Sequence, residues 1–453
     1  MKRLIGLLLA LCLIIGLLPV VASADEVKFD GSAKIRLLGQ VDLVVKKGNV
    51  AKYVRTTENG EAKICSAEDD WNIKFEYVDD WAVLTLKGAR LGKSLGNGEY
   101  ALPYMKEVHA IEAPRNSPFY RLKVIVQEDS IFDAGFGGII CQGNKDDVMM
   151  SDIWIESVGD AKLDIFCANG YRALQAADYE TYEGTLTINA NLNITQIVDY
   201  RYATSLTASH VVIKGGNITL NNANACVDAA QSFTMEGGNV TMNSSNGAAI
   251  SPIQMPNGTV TINGGTLKNI AFKDLENAPY AHGYGLAYAF YNATIENVLM
   301  DVTMEGMSMH KSAVVANTIL NTTMTNCVIK LTDDPNVDNR IDTTANKTGS
   351  NQASFFNGSA TGSTFKGVYV VSPIALCIEF GGNYMYAENE TTESFAAEFS
   401  EHILYNADGK GTQVGGVKRY KDALPTTGEY TALENSGCWS LVENLPVWKS
   451  TQA

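Results

Sequence analysis

Across residues 119–380 apolar and polar positions alternate in runs of only three to five residues, and each run closes on Gly or Asn. Alternation of that period turns one side of a β-strand inward and the other outward. Three runs line up: Gly215-Gly-Asn-Ile-Thr-Leu220, Gly237-Gly-Asn-Val-Thr-Met242 and Gly264-Gly-Thr-Leu-Lys-Asn269. Gly159-Asp-Ala-Lys-Leu-Asp-Ile165 and Gly184-Thr-Leu-Thr-Ile-Asn189 are earlier relatives. A second element falls between them, with small residues beside one or two apolar ones. Gly138-Ile-Ile-Cys141, Tyr171-Arg-Ala-Leu174, Ala225-Cys-Val-Asp228, Ala248-Ala-Ile-Ser251, Gly285-Leu-Ala-Tyr288 and Ala313-Val-Val-Ala316 are its copies.

Strands so short form a sheet only by stacking, each paired in parallel with its counterpart one repeat earlier and later. The pattern therefore predicts an all-β fold, a right-handed parallel β-helix over 119–380. A β-sandwich leaves the recurring small-apolar element without a reason. Ile140, Leu174, Val227 and Ile250 are expected in stacked inward columns, and outward Asn and Thr in ladders at the corners. Residues 25–118 read as an N-terminal β-rich cap or as first coils, with strands over 34–38, 41–45, 73–77 and 82–86. Residues 381–453 read as a C-terminal cap or tail. Phe395, Phe399 and Ile403 at four-residue steps predict a short helix over 394–405.

Composition agrees with many short strands and tight turns: 40 Gly but 11 Pro in 453 residues. A chain 45% hydrophobic and 19% charged is not a disordered one. The formal charge of −15, from 35 basic and 50 acidic residues, makes nucleic acid and anionic membrane poor partners. Residues 1–24 read as a signal peptide: Lys2 and Arg3, an apolar run over 4–21, then Ala22-Ser23-Ala24 before Asp25. No later stretch is apolar enough to span a bilayer. A secreted product, extracellular or held at the cell surface, is expected. Beyond Cys12, the widely spaced Cys65, Cys141, Cys167, Cys226, Cys327, Cys377 and Cys438 suit small core residues better than a zinc site. Leu424-Pro-Thr-Thr-Gly428 matches a wall-sorting pentapeptide by chance, because no apolar span follows it.

Together, the leader, the Gly-Gly-Asn-Ile-Thr-Leu runs and the outward Asn and Thr resemble the pectate-lyase-like β-helix superfamily. The nearest likeness within it is to secreted bacterial proteins described as carbohydrate-binding or adhesin-like. That resemblance implies a non-catalytic protein that binds polysaccharide or acts as an adhesin. A polysaccharide lyase or glycoside hydrolase acting on acidic polysaccharide is the alternative, and a structural surface protein a third reading. Enzymes of this superfamily carry signatures that the chain lacks. Asp333-Asp334 is present and Ala281 precedes His282-Gly283, but Asn-Thr-Asp and Arg-Ile-Lys are missing. Arg115, Arg121, Arg172 and Arg201 stand in no lyase motif. No catalytic residue is assigned.

Tyr280, His282, Tyr284, Tyr288 and Tyr291 form a dense aromatic segment in a long repeat, the first choice of sugar platform. Flat rings suit the apolar faces of sugars, and phenol hydroxyls their polar edges. The competing reading is that these rings pack a loop onto the fold. Tyr179, Tyr182, Tyr200 and Tyr202 form a second group, and Tyr384 and Tyr386 a third. Asp334, Asn336, Asp338 and Asp342 occupy calcium-loop ligand positions, with Ile341 at the apolar position. Asn339 replaces the turn glycine and Ala345 the last carboxylate, so a solvated acidic turn is the alternative. Calcium is the one metal the chain suggests, and no other cofactor is expected.

Overall fold

The computed structural model describes residues 31–114, 120–141, 152–168, 172–176, 184–196, 203–221, 225–243, 253–254, 259–271, 286–304, 312–333, 353–356, 362–371, 403–405, 411–413, 417–420, 439–442 and 445–448. Over these residues the protein is all-β, with a single 3-10 turn at Pro103–Glu107. None of the described helical residues forms a helix long and apolar enough to cross a membrane.

Four of the N-terminal strands lie where alternation put them: Ser32–Leu37, Val41–Lys46, Ile73–Val78 and Trp81–Leu86. Lys52–Thr56 and Ala62–Cys65 are additional. Pairing here is antiparallel until Trp81–Leu86, whose other edge pairs in parallel with Leu122–Val126. Parallel pairing thus begins before residue 119, and His109–Ala113 already pairs in parallel with Gly137–Cys141.

From there the strands form three parallel ladders. The first runs through Trp81–Leu86, Leu122–Val126, Ile153–Ser157, Thr185–Asn189, then 210–215, 232–235, 259–262, 294–296, 323–325 and 364–366. The second runs through Arg90–Leu91, Ser130–Ala134, Lys162–Cys167, Asn191–Gln196, Asn217–Asn221, Asn239–Asn243, then 266–271, 298–304, 327–333, 368–371 and Val417–Tyr420. The third runs through His109–Ala113, Gly137–Cys141, Arg172–Gln175, 204–208, 225–229, Ile253–Gln254, Ala287–Tyr291, Ser312–Leu320 and Ala353–Phe356.

Register explains the core. In the first ladder Leu84, Val124, Ile155, Ile188, Ile213, Met235, Ile262, Ile295, Met324 and Phe365 stack in one unbroken column, all buried. In the third, Ile111, Ile139, Leu174, Leu206, Val227 and Ile253 do the same. Leu174 and Val227 are inward as expected, but Ile140 is not. Ile139 takes the buried place and Ile140 is half-buried. The strand starts on Gly137-Gly138, which carry no side chain to fix the phase of alternation. Val227 is followed by Ile253, while Ile250 lies outside the described residues.

Corners use backbone that few residues adopt. Gly216, Gly238 and Gly265 lie one above another at φ of 91°, 88° and 98°. Their side-chain positions are filled by the strand beneath: a Cβ on Gly216 would lie 2.1 Å from the Ala190 carbonyl oxygen. Asparagine does the same at Asn297 and Asn326 (φ 55° and 52°), which follow one another along the ladder. The expected amide ladders are present. Asn217 Nδ2 donates to Asn191 Oδ1 at 3.3 Å, and Asn239 Nδ2 to Asn217 Oδ1 at 3.0 Å. A second row links Asp164, Asn193, Asn221 and Asn243.

Cys167, Cys226 and Cys327 are buried free thiols, and Cys65 is a half-buried one. Burial pushes the first three up to about 12, so they behave as small apolar side chains. The helix expected over 394–405 is not formed at its end, where Ile403–Tyr405 is a strand paired antiparallel with Gly411–Gln413. A β-branched residue two positions before an aromatic one, as in Ile403-Leu404-Tyr405, fits a strand as well as a helix face; the rest of 394–405 lies outside the described residues. A last hairpin, Trp439–Val442 with Leu445–Trp448, brings its second strand against Thr259–Ala271 and Thr294–Met304.

Candidate functional site

The lengths of the connections single out one ladder. Between the first and second ladders the chain needs only short corners, such as 158–161, 190 and 236–238. Longer segments lead from the second ladder into the third, at 197–203, 244–252, 272–286, 305–311 and 334–352. Others lead from the third back to the first, at 142–152 and 176–184. Long connections on a regular scaffold are where binding residues concentrate. Tyr179, Tyr182, Tyr200, Tyr202, Tyr280, His282 and Tyr284 all fall in these segments, as do Asp334, Asn336, Asp338 and Asp342. These eleven residues lie outside the described residues. Tyr288 and Tyr291 belong to the ladder strand Ala287–Tyr291, where Tyr291 is half-buried and in register with Leu320. Tyr384 and Tyr386 lie outside the described residues.

On the third ladder, the side of the strands opposite the Leu174–Leu206–Val227 column carries a polar row. Gln175, Thr207, Asp228 and Gln254 are in register there, below Glu112 and Ile140. An outward row on a regular strand is ordinarily wet, yet Gln175, Thr207 and Asp228 are 6%, 0% and 9% exposed. Buried polar groups persist only when bonded. Arg172 Nη1 donates to Gln175 Oε1 at 3.3 Å, the Thr204 and Thr207 hydroxyls share a hydrogen bond of 2.7 Å, and Gln196 Nε2 donates to the Thr204 carbonyl at 2.9 Å. Burial pushes the Asp228 carboxyl above the usual carboxylate range, and the Arg172 guanidinium partly opposes that.

The arrangement offers a guanidinium, a readily protonated carboxyl, an amide and two hydroxyls over a few strands, a set suited to the hydroxyl-rich edges of a sugar. Among the described residues the register neighbours of Asp228 are Thr207 and Gln254, neither of which is a carboxyl. Among the described residues no three of His, Cys, Asp and Glu gather as a metal-holding group.

The sequence alone did not reveal Arg172, Gln175, Thr207 and Asp228 as a group. Their only sequence signal is a polar residue directly after the inward one in each copy of the small-apolar element: Leu174-Gln175, Leu206-Thr207, Val227-Asp228. Comparison with family models, curated proteins and solved structures gives no match for this chain.

Proposed function

We propose that the chain is a secreted right-handed parallel β-helix of the pectate-lyase-like kind, which binds polysaccharide without cleaving it on the third-ladder side. Three parallel ladders visited in constant order support the coil, and crossovers between parallel strands are nearly always right-handed. The leader over 1–24 supports export.

The observation that carries the binding reading is the buried polar row of Arg172, Gln175, Thr207 and Asp228, bracketed by the tyrosine-bearing connections. Rings from the connections would stack on sugar faces while the half-buried Arg172, held by the row, bonds their hydroxyls. A glycan array on the mature chain, with and without calcium, tests this. Each hit is then incubated and assayed for new reducing ends and for unsaturated product. Bound glycan left intact is the expected result; an array without hits overturns the reading.

A second reading, a lyase for acidic polysaccharide, draws on Asp228 lying within electrostatic reach of Arg172. Unsaturated product from an acidic hit, lost in Arg172→Ala, would establish it in place of the first.

A further inference from the structure

The first ladder has its own outer face, separate from the third-ladder side. Its middle row holds, in register, Lys123, Trp154, Thr187, Val212, Thr234, Thr261, Thr294, Thr323 and Thr364. Five consecutive strands thus present threonine at one position. Thr234 is half-buried, whereas Thr261, Thr294, Thr323 and Thr364 are exposed. The next row on the same strands, Asn263, Glu296, Thr325 and Lys366, changes residue at every step. A general liking of outward strand positions for threonine would mark both rows alike, and only the middle one is uniform.

The row ends at an aromatic cluster. Trp154 meets Trp81 edge-on at 6.3 Å, with Lys123 and Lys214 ammonium groups 5.6 and 5.7 Å from its ring centre. Arg121 lies 4.7 Å over Trp81. Lys214 starts beyond Val212 and reaches back to Trp154, and Thr187 between them is only 7% exposed. The open part of the row therefore begins after Lys214.

We propose that this row is the bed of a linear, uncharged polysaccharide lying along the ladder, with about one sugar ring per strand. Strands repeat at about 4.8 Å, so the five threonines span about 19 Å, a step close to the advance of one ring in an extended β-1,4-linked chain. Each threonine offers a methyl group and a hydroxyl that both donates and accepts. Its branched Cβ holds it in few rotamers, so little freedom is lost on binding. Thr364 Oγ1 already donates to Thr323 Oγ1 at 3.3 Å, and on the flank Asn321 Nδ2 donates to Asn292 Oδ1 at 3.3 Å. No charge stands in the row from Thr234 to Thr364, so a neutral polymer fits it better than a uronate.

The test is calorimetric titration with β-1,4-linked gluco-, manno- and xylo-oligosaccharides of two to eight rings. Affinity should climb with each ring up to about five and then level off. Thr294→Val and Thr323→Val keep the branched shape and remove one hydroxyl. Each should weaken the five-ring ligand about fivefold, leave the two-ring ligand nearly unchanged and keep the thermal midpoint. Affinity independent of length, or indifferent to both substitutions, overturns this bed, while array hits that depend on Arg172 leave the third-ladder reading standing. A dimer that Thr294→Lys dissociates would instead assign the row to a second copy of the chain and overturn the proposal equally.

Discussion

Replacing Gly216 by alanine should cost far more than replacing Gly48, although both glycines have nearly the same backbone, with φ of 91° and 81°. Alanine at positive φ costs about 1–2 kcal/mol, of which the stiffer unfolded chain returns about 0.4–1 kcal/mol. Gly48→Ala meets nothing within 4 Å, so its net cost should stay near 1 kcal/mol. Gly216→Ala brings its Cβ to 2.1 Å from the carbonyl oxygen and 2.5 Å from the carbonyl carbon of Ala190. Both atoms belong to the backbone of the preceding strand layer, and Gly238 packs on Gly216 from the other side, where its own Cβ would lie 2.9 Å from the Gly216 carbonyl oxygen. Relief requires two stacked layers to part, which adds about 1–3 kcal/mol of overpacking and brings the total to about 2–4 kcal/mol. Urea unfolding of both variants, followed by tryptophan fluorescence, measures the difference directly. Equal losses would refute the reasoning, because the extra cost exists only if the Gly216, Gly238 and Gly265 corners are stacked.

Ile139→Asp should abolish cooperative unfolding, since an unpaired buried carboxylate costs several kcal/mol, while Ile140→Asp should fold and lose about 1 kcal/mol or less; circular dichroism melts of the pair decide. Burial pushes His109 down to about 4, partly offset by its hydrogen bond with the Phe136 backbone. A histidine lowered in the folded state stabilises the fold above its unfolded value of 6.5, and that contribution is lost as pH falls from about 6.5 to about 4. The shift corresponds to about 3 kcal/mol, so urea midpoints should fall over that interval and fall less in His109→Phe. Asn217→Ala removes the amide bonds to Asn191 and Asn239 from an exposed corner and should cost about 1 kcal/mol in the same urea assay.

The repeat was legible because burial forces a simple rule: one aliphatic residue at every second position, repeated at every strand. The column from Leu84 to Phe365 follows from that rule alone. Asn at the corners was legible for a similar reason, since few other side-chain-bearing residues tolerate positive φ. Phase was not legible where glycine opens a strand, and Ile139 and Ile140 exchanged roles for that reason. The polar row was hidden because Arg172, Thr207 and Asp228 become neighbours only through register, and register depends on how many residues each connection absorbs. The threonine row was hidden in the same way, its members following one another at spacings of 27 to 41 residues. Trp81 and Trp154 lie in unrelated segments and meet because their strands flank Leu122–Val126.

Hydroxyl-radical footprinting of the mature chain, with and without an array hit, tests most directly whether glycan sits on the third-ladder side. Oxidation of each aromatic residue is read by peptide mass spectrometry. Bound glycan should protect residues among Tyr179, Tyr182, Tyr200, Tyr202, Tyr280, Tyr284, Tyr288 and Tyr291. Tyr53 and Trp71, which touch one another in the N-terminal segment at 5.7 Å, should react as before, and Arg172→Ala should abolish the protection. Unchanged oxidation of all eight tyrosines under saturating glycan would contradict it.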